Sequence, residues 1–284
     1  MAIMDFFKAN IRNFGMIRFG DGVKDRLRLL EIALLKSIPK KVKYFLGLNG
    51  KSEEVIKNLW NGTVVKINGV KYALVDSESF DIVKEFENFI LHWLNPKKGE
   101  VFIDIGAHIG KYALKIAREV GETGLVIAVE PNPDNYQMLQ RGIMLNNLKN
   151  VVALNMAAWN EESTLKLFTG HLAGHHSTKI DWKLGWHEVN ARPMDDVIEE
   201  FDINRVDWIK IDVEGAEWEV LLGLEKTINK YRAKVIIELS YENIGKVKEF
   251  MKKEKYGIIK ISSTFKGLIY GVPRKYAYFL LLPL

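Results

Sequence analysis

The sequence predicts an α/β protein with a doubly wound, mostly parallel β-sheet, an antiparallel last strand and a helical extension at the N terminus. Two observations carry this prediction. From Glu100 onward, short β-rich runs alternate with helical segments, which is the pattern of consecutive βαβ units. The first 60 residues lack this alternation and instead show helical periodicity and a strong excess of basic residues.

The composition excludes several classes of protein. The chain has 284 residues, of which 48% are hydrophobic and 27% charged, so it has ample material for a buried core. It contains no cysteine, which excludes disulfide frameworks, thiolate metal sites and cysteine nucleophiles. No apolar run approaches the roughly 18 residues of a membrane-spanning helix, and the first residues do not resemble a secretory signal. We therefore expect a cytoplasmic protein.

The positive charge is concentrated at the N terminus. Residues 1–60 carry 12 Lys and Arg against 6 Asp and Glu, whereas the remaining 224 residues carry 29 against 30. Such a segment can face nucleic acid, anionic lipid or an acidic substrate, or it can be a solvated helix face. A helix is predicted here, and Pro39 is expected to end it. Its apolar stripe consists of Val23, Leu27, Leu30 and Leu34.

The chain divides into three predicted parts: residues 1–60, 61–97 and 98–284. The second part begins with strands flanking Asn68-Gly69, a pair typical of a type I′ hairpin turn, and continues with a helix over residues 79–94. The third part contains the parallel sheet. Its predicted strands are Val101–Ile105, Leu125–Glu130, Val151–Leu154, Val206–Ile211, Val235–Leu239 and a C-terminal hairpin of Gly257–Ser262 and Tyr276–Leu282.

The most informative segment follows the first strand of this sheet. Asp104 ends the strand, and the turn after it has the spacing D-x-G-x-x-x-G, with glycines at positions 106 and 110. This differs from the dinucleotide fingerprint G-x-G-x-x-G, because His108 occupies the place of the second glycine. Glycine lets backbone approach a ligand closely, and the next helix N terminus suits a carboxylate. The carboxylate of Asp104 suits an ammonium or sulfonium rather than a phosphate.

A second acidic residue ends the next strand. Glu130 lies 24 residues after Gly106, and in such folds an acidic residue there accepts hydrogen bonds from ribose hydroxyls. Ligands of these folds bind outside the carboxyl ends of the strands. We therefore expect Asp104 and Glu130 to face the same crevice.

Three segments resemble the FkbM family within the class I S-adenosylmethionine-dependent methyltransferases. They are Phe102–Lys111, Ala128–Asp134 and the run W-I-K-I-D-V-E-G-A-E from Trp208 to Glu217. The resemblance covers residues 62–240 and implies a Rossmann-like methyltransferase fold and methyl transfer to a hydroxyl of a sugar, glycan, lipid or other small molecule. The residues expected to bind S-adenosylmethionine are Asp104, Gly106, Ala107, His108, Gly110, Glu130, Pro131, Asn132, Asn155, Ala157, Ala158 and Asp212.

Catalysis requires the acceptor hydroxyl to lose a proton. The candidate catalytic residues are Asp212, Glu214, His175 and His176; the two histidines lie in a Gly/His loop and can equally be solvated. Lys210 is expected to point opposite to its strand neighbours, and we rank it last as a base because its ammonium would lie unfavourably near a sulfonium. Asp212 and Glu214 can alternatively hold Mg²⁺, and Glu217 is expected to cap the following helix.

Two other functions remain open from the sequence. One is an RNA methyltransferase that uses the basic N terminus, although no N-P-P-Y-like signature or RNA-binding motif is present. The other is a non-catalytic module that binds the donor. Residues 1–60 can dock on a membrane surface, form a homodimer interface or cover the acceptor pocket.

Overall fold

The computed structural model describes residues 10–48, 50–84, 88–170, 176–181, 183–269 and 272–284. Strands are numbered along the chain as β1 (Val64–Ile67), β2 (Val70–Ala73), β3 (Val101–Ile105), β4 (Leu125–Val129), β5 (Val151–Leu154), β6 (Ala157–Ala158), β7 (Ser163–Phe168), β8 (Trp186–Arg192), β9 (Trp208–Ile211), β10 (Lys234–Ser240), β11 (Tyr256–Ile269) and β12 (Val272–Pro283).

The α-helices are α1 (Val23–Ser37), α2 (Lys40–Phe45), α3 (Lys51–Trp60), α4 (Ser77–Lys84), α5 (Lys111–Val120), α6 (Pro133–Leu145), α7 (Met194–Glu199), α8 (Glu217–Leu222), α9 (Glu225–Tyr231) and α10 (Ile244–Lys253). None of the helices in the described ranges is both long and apolar enough to cross a bilayer.

A seven-stranded sheet in the order β11-β12-β10-β9-β3-β4-β5 forms the centre of the molecule. Its five strands from β10 to β5 run parallel, while β12 is antiparallel to β10 and β11 is antiparallel to β12. This confirms the predicted mostly parallel sheet with an antiparallel hairpin at its edge. The strand order reverses direction between β3 and β9, where ligands of open α/β sheets bind.

Helices cover both faces of this sheet, as expected for a doubly wound fold. Along β3, Phe102 packs into the core on one face, and Ile103 and Ile105 pack into the core on the other. The first core includes α1, α4, α5 and α6, and the second includes α7 to α10. Because β3 is buried on both faces, its sequence is a continuous apolar run interrupted only by Asp104.

The N-terminal helix α1 is present, but its buried face differs from the apolar stripe in the sequence. Leu29, Ile32 and Ala33 are fully buried and belong to the same core as Phe102. The stripe of Val23, Leu27 and Leu34 is exposed instead, and Leu30 is half-buried. Both stripes have helical spacing, so the choice between them rested on tertiary packing.

The hairpin of β1 and β2 forms with the predicted turn. Asn68 has φ of +50° and Gly69 has φ of +82°, the left-handed values that a type I′ turn requires at both positions. The helix predicted over residues 79–94 is only partly present. α4 covers Ser77–Lys84, and Asn88–His92 form a 3-10 helix rather than an α-helix.

A three-stranded sheet in the order β6-β8-β7 was not predicted. It lies in the chain between β5 and β9, and residues of its strand β6 lie beside the carboxyl ends of the main sheet. Its strands β7 and β8 are largely half-buried or exposed. For that reason their hydrophobic signal in the sequence is weak.

The turn after β3 packs directly on the end of β9. Gly106 adopts φ of +81°, and a Cβ at this position would lie 1.8 Å from the carbonyl oxygen of Asp212. A side chain at position 106 is therefore excluded by both backbone conformation and space.

We predict that Gly106→Ala lowers the unfolding free energy by more than the positive φ at this position costs on its own, because the added Cβ would also collide with the Asp212 carbonyl. The matched control is Gly121→Ala, because Gly121 also has positive φ (+69°) but open space around its missing Cβ. The control should lose about 1–3 kcal/mol of unfolding free energy. Chemical denaturation should show a clearly larger loss for Gly106→Ala, and equal losses in both variants would contradict the steric argument.

Candidate active site

A cavity of about 490 Å³ opens at the carboxyl ends of β3, β4 and β9. The turn after β3, the end of β4, the loop after β9, the start of α4 and strand β6 form its walls. The predicted site residues that line it are Gly106, Ala107, His108, Glu130, Pro131, Ala157, Ala158, His176, Asp212 and Glu214.

Glu130 is held at the end of β4 by three donors. Its Oε2 accepts the backbone N–H of His108 at 2.8 Å, and its Oε1 accepts the backbone N–H of Asn132 at 3.0 Å and the amide of Asn135 at 3.4 Å. The side chain is only 5% exposed. These bonds orient the carboxylate in the cavity wall and tie the β3 turn to the β4 end.

Burial raises the pKa of Glu130 to about 7, and the N–H groups of Asn132 and His108 oppose this shift. Removal from water disfavours the charged carboxylate. The hydrogen bonds recover part of that cost. Glu130 therefore changes charge near neutral pH.

Asp104 lies beneath the cavity rather than in its lining. It is fully buried, and its Oδ2 accepts the backbone N–H of Ala113 in the first turn of α5 at 3.0 Å. Burial raises the pKa of Asp104 to about 6, while the Lys210 ammonium, 4.0 Å from its Oδ1, opposes this. Asp104 thus anchors the start of α5.

Lys210, ranked last among the candidate bases, lies in the cavity wall. Lys210 is 2% exposed and lines the cavity, with Nζ 3.1 Å from Oδ2 of Asp212 and 4.7 Å from the ring centre of Tyr112. Strand geometry explains this position. Residues two apart on a strand share a face, so Lys210 lies on the same side as Asp212. Lys210 is also in register with Asp104 on the neighbouring strand β3.

His108 contributes a neutral imidazole to the cavity wall. Both of its ring nitrogens are buried and have no hydrogen-bond partner among the described residues. Burial lowers the pKa of His108 to about 4, so the ring is uncharged at neutral pH. A bound group that donates or accepts a hydrogen bond would satisfy it.

Carboxylates gather on the opposite side of the cavity, around the end of β9. Asp212, Glu214 and Glu238 each place one oxygen within 4.8 Å of the others. The Lys210 ammonium already contacts Asp212 and supplies positive charge there. Mg²⁺ takes oxygen ligands in near-ideal octahedral geometry, so this lysine-paired arrangement fits a metal ion poorly.

The loop that bears His176 is fastened to the end of β9. The buried Ser177 hydroxyl donates to the carbonyl oxygen of Glu214 at 2.7 Å, and accepts the backbone N–H groups of Lys179 and Ile180. This brings His176 and Thr178 into the cavity lining. His175 lies outside the described residues.

Besides Asp104, three further predicted donor-binding residues shape the site without lining it. Asn132 caps α6 by accepting the N–H groups of Asp134 and Asn135. The Asn155 amide donates to the carbonyl oxygens of Glu130 and Pro131. Gly110 begins α5 in a left-handed conformation.

Glu217 closes the turn before α8. Its Oε1 accepts the backbone N–H of Gly215 at 2.6 Å, and its Oε2 accepts the Asn243 amide at 2.8 Å. Burial raises the pKa of Glu217 to about 7. These contacts are structural, but they fasten the turn before α8 and the Asn243 side chain, and no side-chain cap hydrogen bond is formed at the start of α8.

The sequence reading missed one wall of the cavity. Helix α4 contributes Ser77, Glu78, Asp81 and Ile82 to the lining. This helix precedes the parallel sheet in sequence and carries no motif. Only its packing beside the β3 turn brings it to the site.

We predict that Lys210→Met lowers the unfolding free energy by about 3–5 kcal/mol, because it leaves the Asp104 carboxylate buried without a compensating charge. Asp104 binds its proton more tightly in the folded protein than in the unfolded chain. Its contribution to stability is therefore full at low pH and lost as pH rises through its folded pKa of about 6.

Without Lys210 that pKa rises further, so the loss of stability should extend to higher pH. Denaturation at pH 5.5 and 8.5 measures this loss. It is run on Lys210→Met and on a double variant that also carries Asp104→Asn, which removes the carboxylate charge and serves as the control. The double variant should lose the extra pH dependence. An equal pH dependence in Lys210→Met and the double variant would contradict the pairing.

Comparisons with known proteins show which family this sequence matches. Residues 104–258 match the family described as methyltransferase FkbM domain. Methyltransferase sdnD of Sordaria araneosa is 27% identical over 200 residues, which are 59% of this chain and 77% of that protein. The tRNA (adenine(57)-N(1)/adenine(58)-N(1))-methyltransferase TrmI of Methanocaldococcus jannaschii is 22% identical over 218 residues, 71% of each chain.

Among solved structures, methyltransferase FkbM from Methylobacillus flagellatus KT aligns with 95% of this chain and 59% of its own chain, at 15% identity and a TM-score of 0.45. The family match spans more than half of the chain, from the buried Asp104 through the Asp212–Glu217 turn and on into β11. On that match, this chain belongs to the FkbM methyltransferase family.

Proposed function

We propose that this protein transfers a methyl group from S-adenosylmethionine to a hydroxyl of a sugar, glycan, lipid or other small molecule. The observation that carries the proposal is an acid-rich cavity at the carboxyl ends of the parallel strands. Among the described residues, its lining holds five carboxylates and two lysines: Glu78, Asp81, Glu130, Asp212, Glu214, Lys111 and Lys210.

The residues fit the donor at two points. Glu130, at the end of β4, presents an oriented carboxylate that can accept hydrogen bonds from ribose hydroxyls. The ring nitrogens of His108 in the β3 turn, which have no hydrogen-bond partner among the described residues, offer a further polar contact. A cavity of this volume lies in the usual range for sites that bind small molecules. Bound here, the donor supplies an electrophilic methyl group on a sulfonium.

The wall at the end of β9 binds the acceptor. Asp212 and Glu214 accept hydrogen bonds from the acceptor hydroxyl and orient its oxygen toward the methyl carbon. With the donor bound, its sulfonium would supply the methyl group to that oxygen and leave as a neutral thioether. A carboxylate or His176 would take the hydroxyl proton and pass it to solvent. Lys210 compensates the charge of Asp212 throughout.

The lining charge favours a hydroxyl acceptor without a phosphate beside it. Carboxylates accept hydrogen bonds from hydroxyls, whereas five of them near a phosphate would repel it. RNA is the second candidate, because one relative is by name a tRNA methyltransferase and residues 1–60 are basic. The acidic cavity argues for the first candidate.

We predict that S-adenosylhomocysteine, the demethylated donor, binds more weakly as pH falls below about 7, because protonated Glu130 loses acceptor capacity. With the pKa of Glu130 at about 7, affinity should be up to about tenfold lower at pH 6 than at pH 8. Titration calorimetry at both pH values measures this.

Glu130→Gln should weaken binding about 10- to 100-fold at pH 8 and flatten the pH dependence. Glu188→Gln, at an exposed position on β8, is the matched control and should behave as wild type. Wild-type affinity in Glu130→Gln would remove Glu130 from the donor site.

We further predict that cell extract incubated with the enzyme and isotope-labelled S-adenosylmethionine yields labelled methyl ethers in small-molecule, glycan or lipid fractions. With the acceptor so identified, Asp212→Asn and Glu214→Gln should lower turnover by about 10²–10⁴-fold and leave the affinity for S-adenosylhomocysteine nearly unchanged. Label confined to RNA would contradict the hydroxyl acceptor and favour the second candidate.

A further inference from the structure

Helix α1 exposes an apolar stripe that no described residue covers. Val23, Leu27 and Leu34 lie on one side of the helix, and Val23 is 77% exposed. The opposite side, formed by Leu29, Ile32 and Ala33, is fully buried. The helix therefore has two apolar faces, and only one of them packs on the protein.

The next helix continues this exposure. None of the α2 residues is buried. Val42, Phe45 and the adjoining Leu46 have the i, i+3, i+4 spacing of one helix face, and Phe45 is 88% exposed. Burying this aromatic ring against a partner would therefore be favourable, because it would remove a large apolar area from water.

Basic residues accompany these apolar ones. Residues 23–46 contain seven Lys and Arg against two acidic residues. One of the two acidic residues, Asp25, already accepts the backbone N–H of Val64 at 2.9 Å. Lys24, Arg26, Lys40 and Lys41 are exposed, whereas the Lys36 ammonium lies 5.3 Å from the ring centre of the buried Trp60.

We propose that α1, α2 and Leu46 together form a docking surface for the anionic face of a lipid bilayer. Phe45, Leu46 and the α1 stripe would enter the boundary between head groups and acyl chains, while the lysines contact the anionic head groups. This is the physical arrangement of a helix that lies in a membrane interface, and each basic residue near an anionic leaflet adds attraction. We call these residues the basic apolar surface.

Charge decides between this occupant and others. A second copy of the chain would bring the same positive surface against itself, because a twofold interface pairs identical patches. Nucleic acid would satisfy the lysines and could stack a base on the exposed Phe45 ring, but it offers no complement to aliphatic side chains. The exposed aliphatic side chains Val23, Leu27, Leu34 and Leu46 have their complement in acyl chains.

The basic apolar surface belongs to a segment that adjoins the cavity. Arg12 forms an ion pair with Asp81 of α4 at 3.0 Å, and the rings of Phe19 and Trp60 contact Phe80 of the same helix. Since Asp81 lines the cavity, docking holds the cavity near the bilayer. Resting on the methyl transfer proposed above, this placement favours an acceptor hydroxyl on a membrane lipid.

Co-sedimentation of the full chain with phosphatidylcholine vesicles, with and without phosphatidylglycerol, tests the docking surface. We expect binding to the anionic vesicles that weakens with added salt. Phe45→Ser with Leu46→Ser, and separately Lys40→Glu with Lys41→Glu, should each lower the partition coefficient at least about tenfold. The matched control, Met144→Ser with Lys149→Glu, changes exposed residues on and after α6 and should bind as wild type.

The proposal would be overturned by no binding to anionic vesicles, by equal loss of binding in the control variant, or by a dimer in sedimentation velocity that the α2 variants convert to monomer. Loss of vesicle binding only in the lysine variant, together with tight RNA binding in a filter assay, would also overturn it in favour of nucleic acid. Calorimetry with S-adenosylhomocysteine separates this test from the proposed function. The surface variants should bind S-adenosylhomocysteine as the wild type does. If the wild type fails to bind it, the proposed methyl transfer is contradicted, whereas the docking proposal is not affected.

Discussion

The close packing of the Gly106 turn on the end of β9 is the constraint on which the site depends. With a hydrogen as its side chain, residue 106 lets the backbone of the β3 turn reach the carbonyl of Asp212. The same turn directs the His108 N–H onto Glu130. One contact between two strand ends therefore sets the spacing between the proposed donor wall and the proposed acceptor wall of the cavity.

Charge balance beneath the cavity is the second constraint. Asp104 and Lys210 occupy opposite positions on neighbouring strands, and both are buried. A lone buried charge is costly, whereas a compensated pair is tolerated. Lys210 also contacts Asp212, so the lysine links an anchoring carboxylate below the cavity floor to a carboxylate that lines it. The acid-rich lining can persist at neutral pH because part of its charge is balanced in this way and because the pKa of Glu130 is raised by burial to about 7.

The N-terminal helices have one face packed on the central sheet and another face exposed to solvent. Their inner residues, such as Leu29 and Trp60, share a core with Phe102 of the central sheet, so they are packed on the domain that holds the cavity. Their exposed faces carry both apolar and basic residues. A phenylalanine that is 88% exposed lies beside exposed lysines there, and this combination connects the charge asymmetry of the sequence to the proposed membrane contact.

The sequence by itself determined the parallel sheet, the hairpin at its edge, the type I′ turn and the family, because each depends on local patterns: buried apolar runs, paired turn residues and a contiguous motif. It also placed Glu130 and Asp212 at strand ends, since strand boundaries follow from those runs. Only the tertiary structure decided which stripe of α1 is buried, that Lys210 faces the cavity beside Asp104, that Asp104 itself lies below it, and that α4 forms one wall. These features depend on contacts between residues far apart in the chain, and no local pattern encodes the register of two strands or the face of a helix that finds a partner.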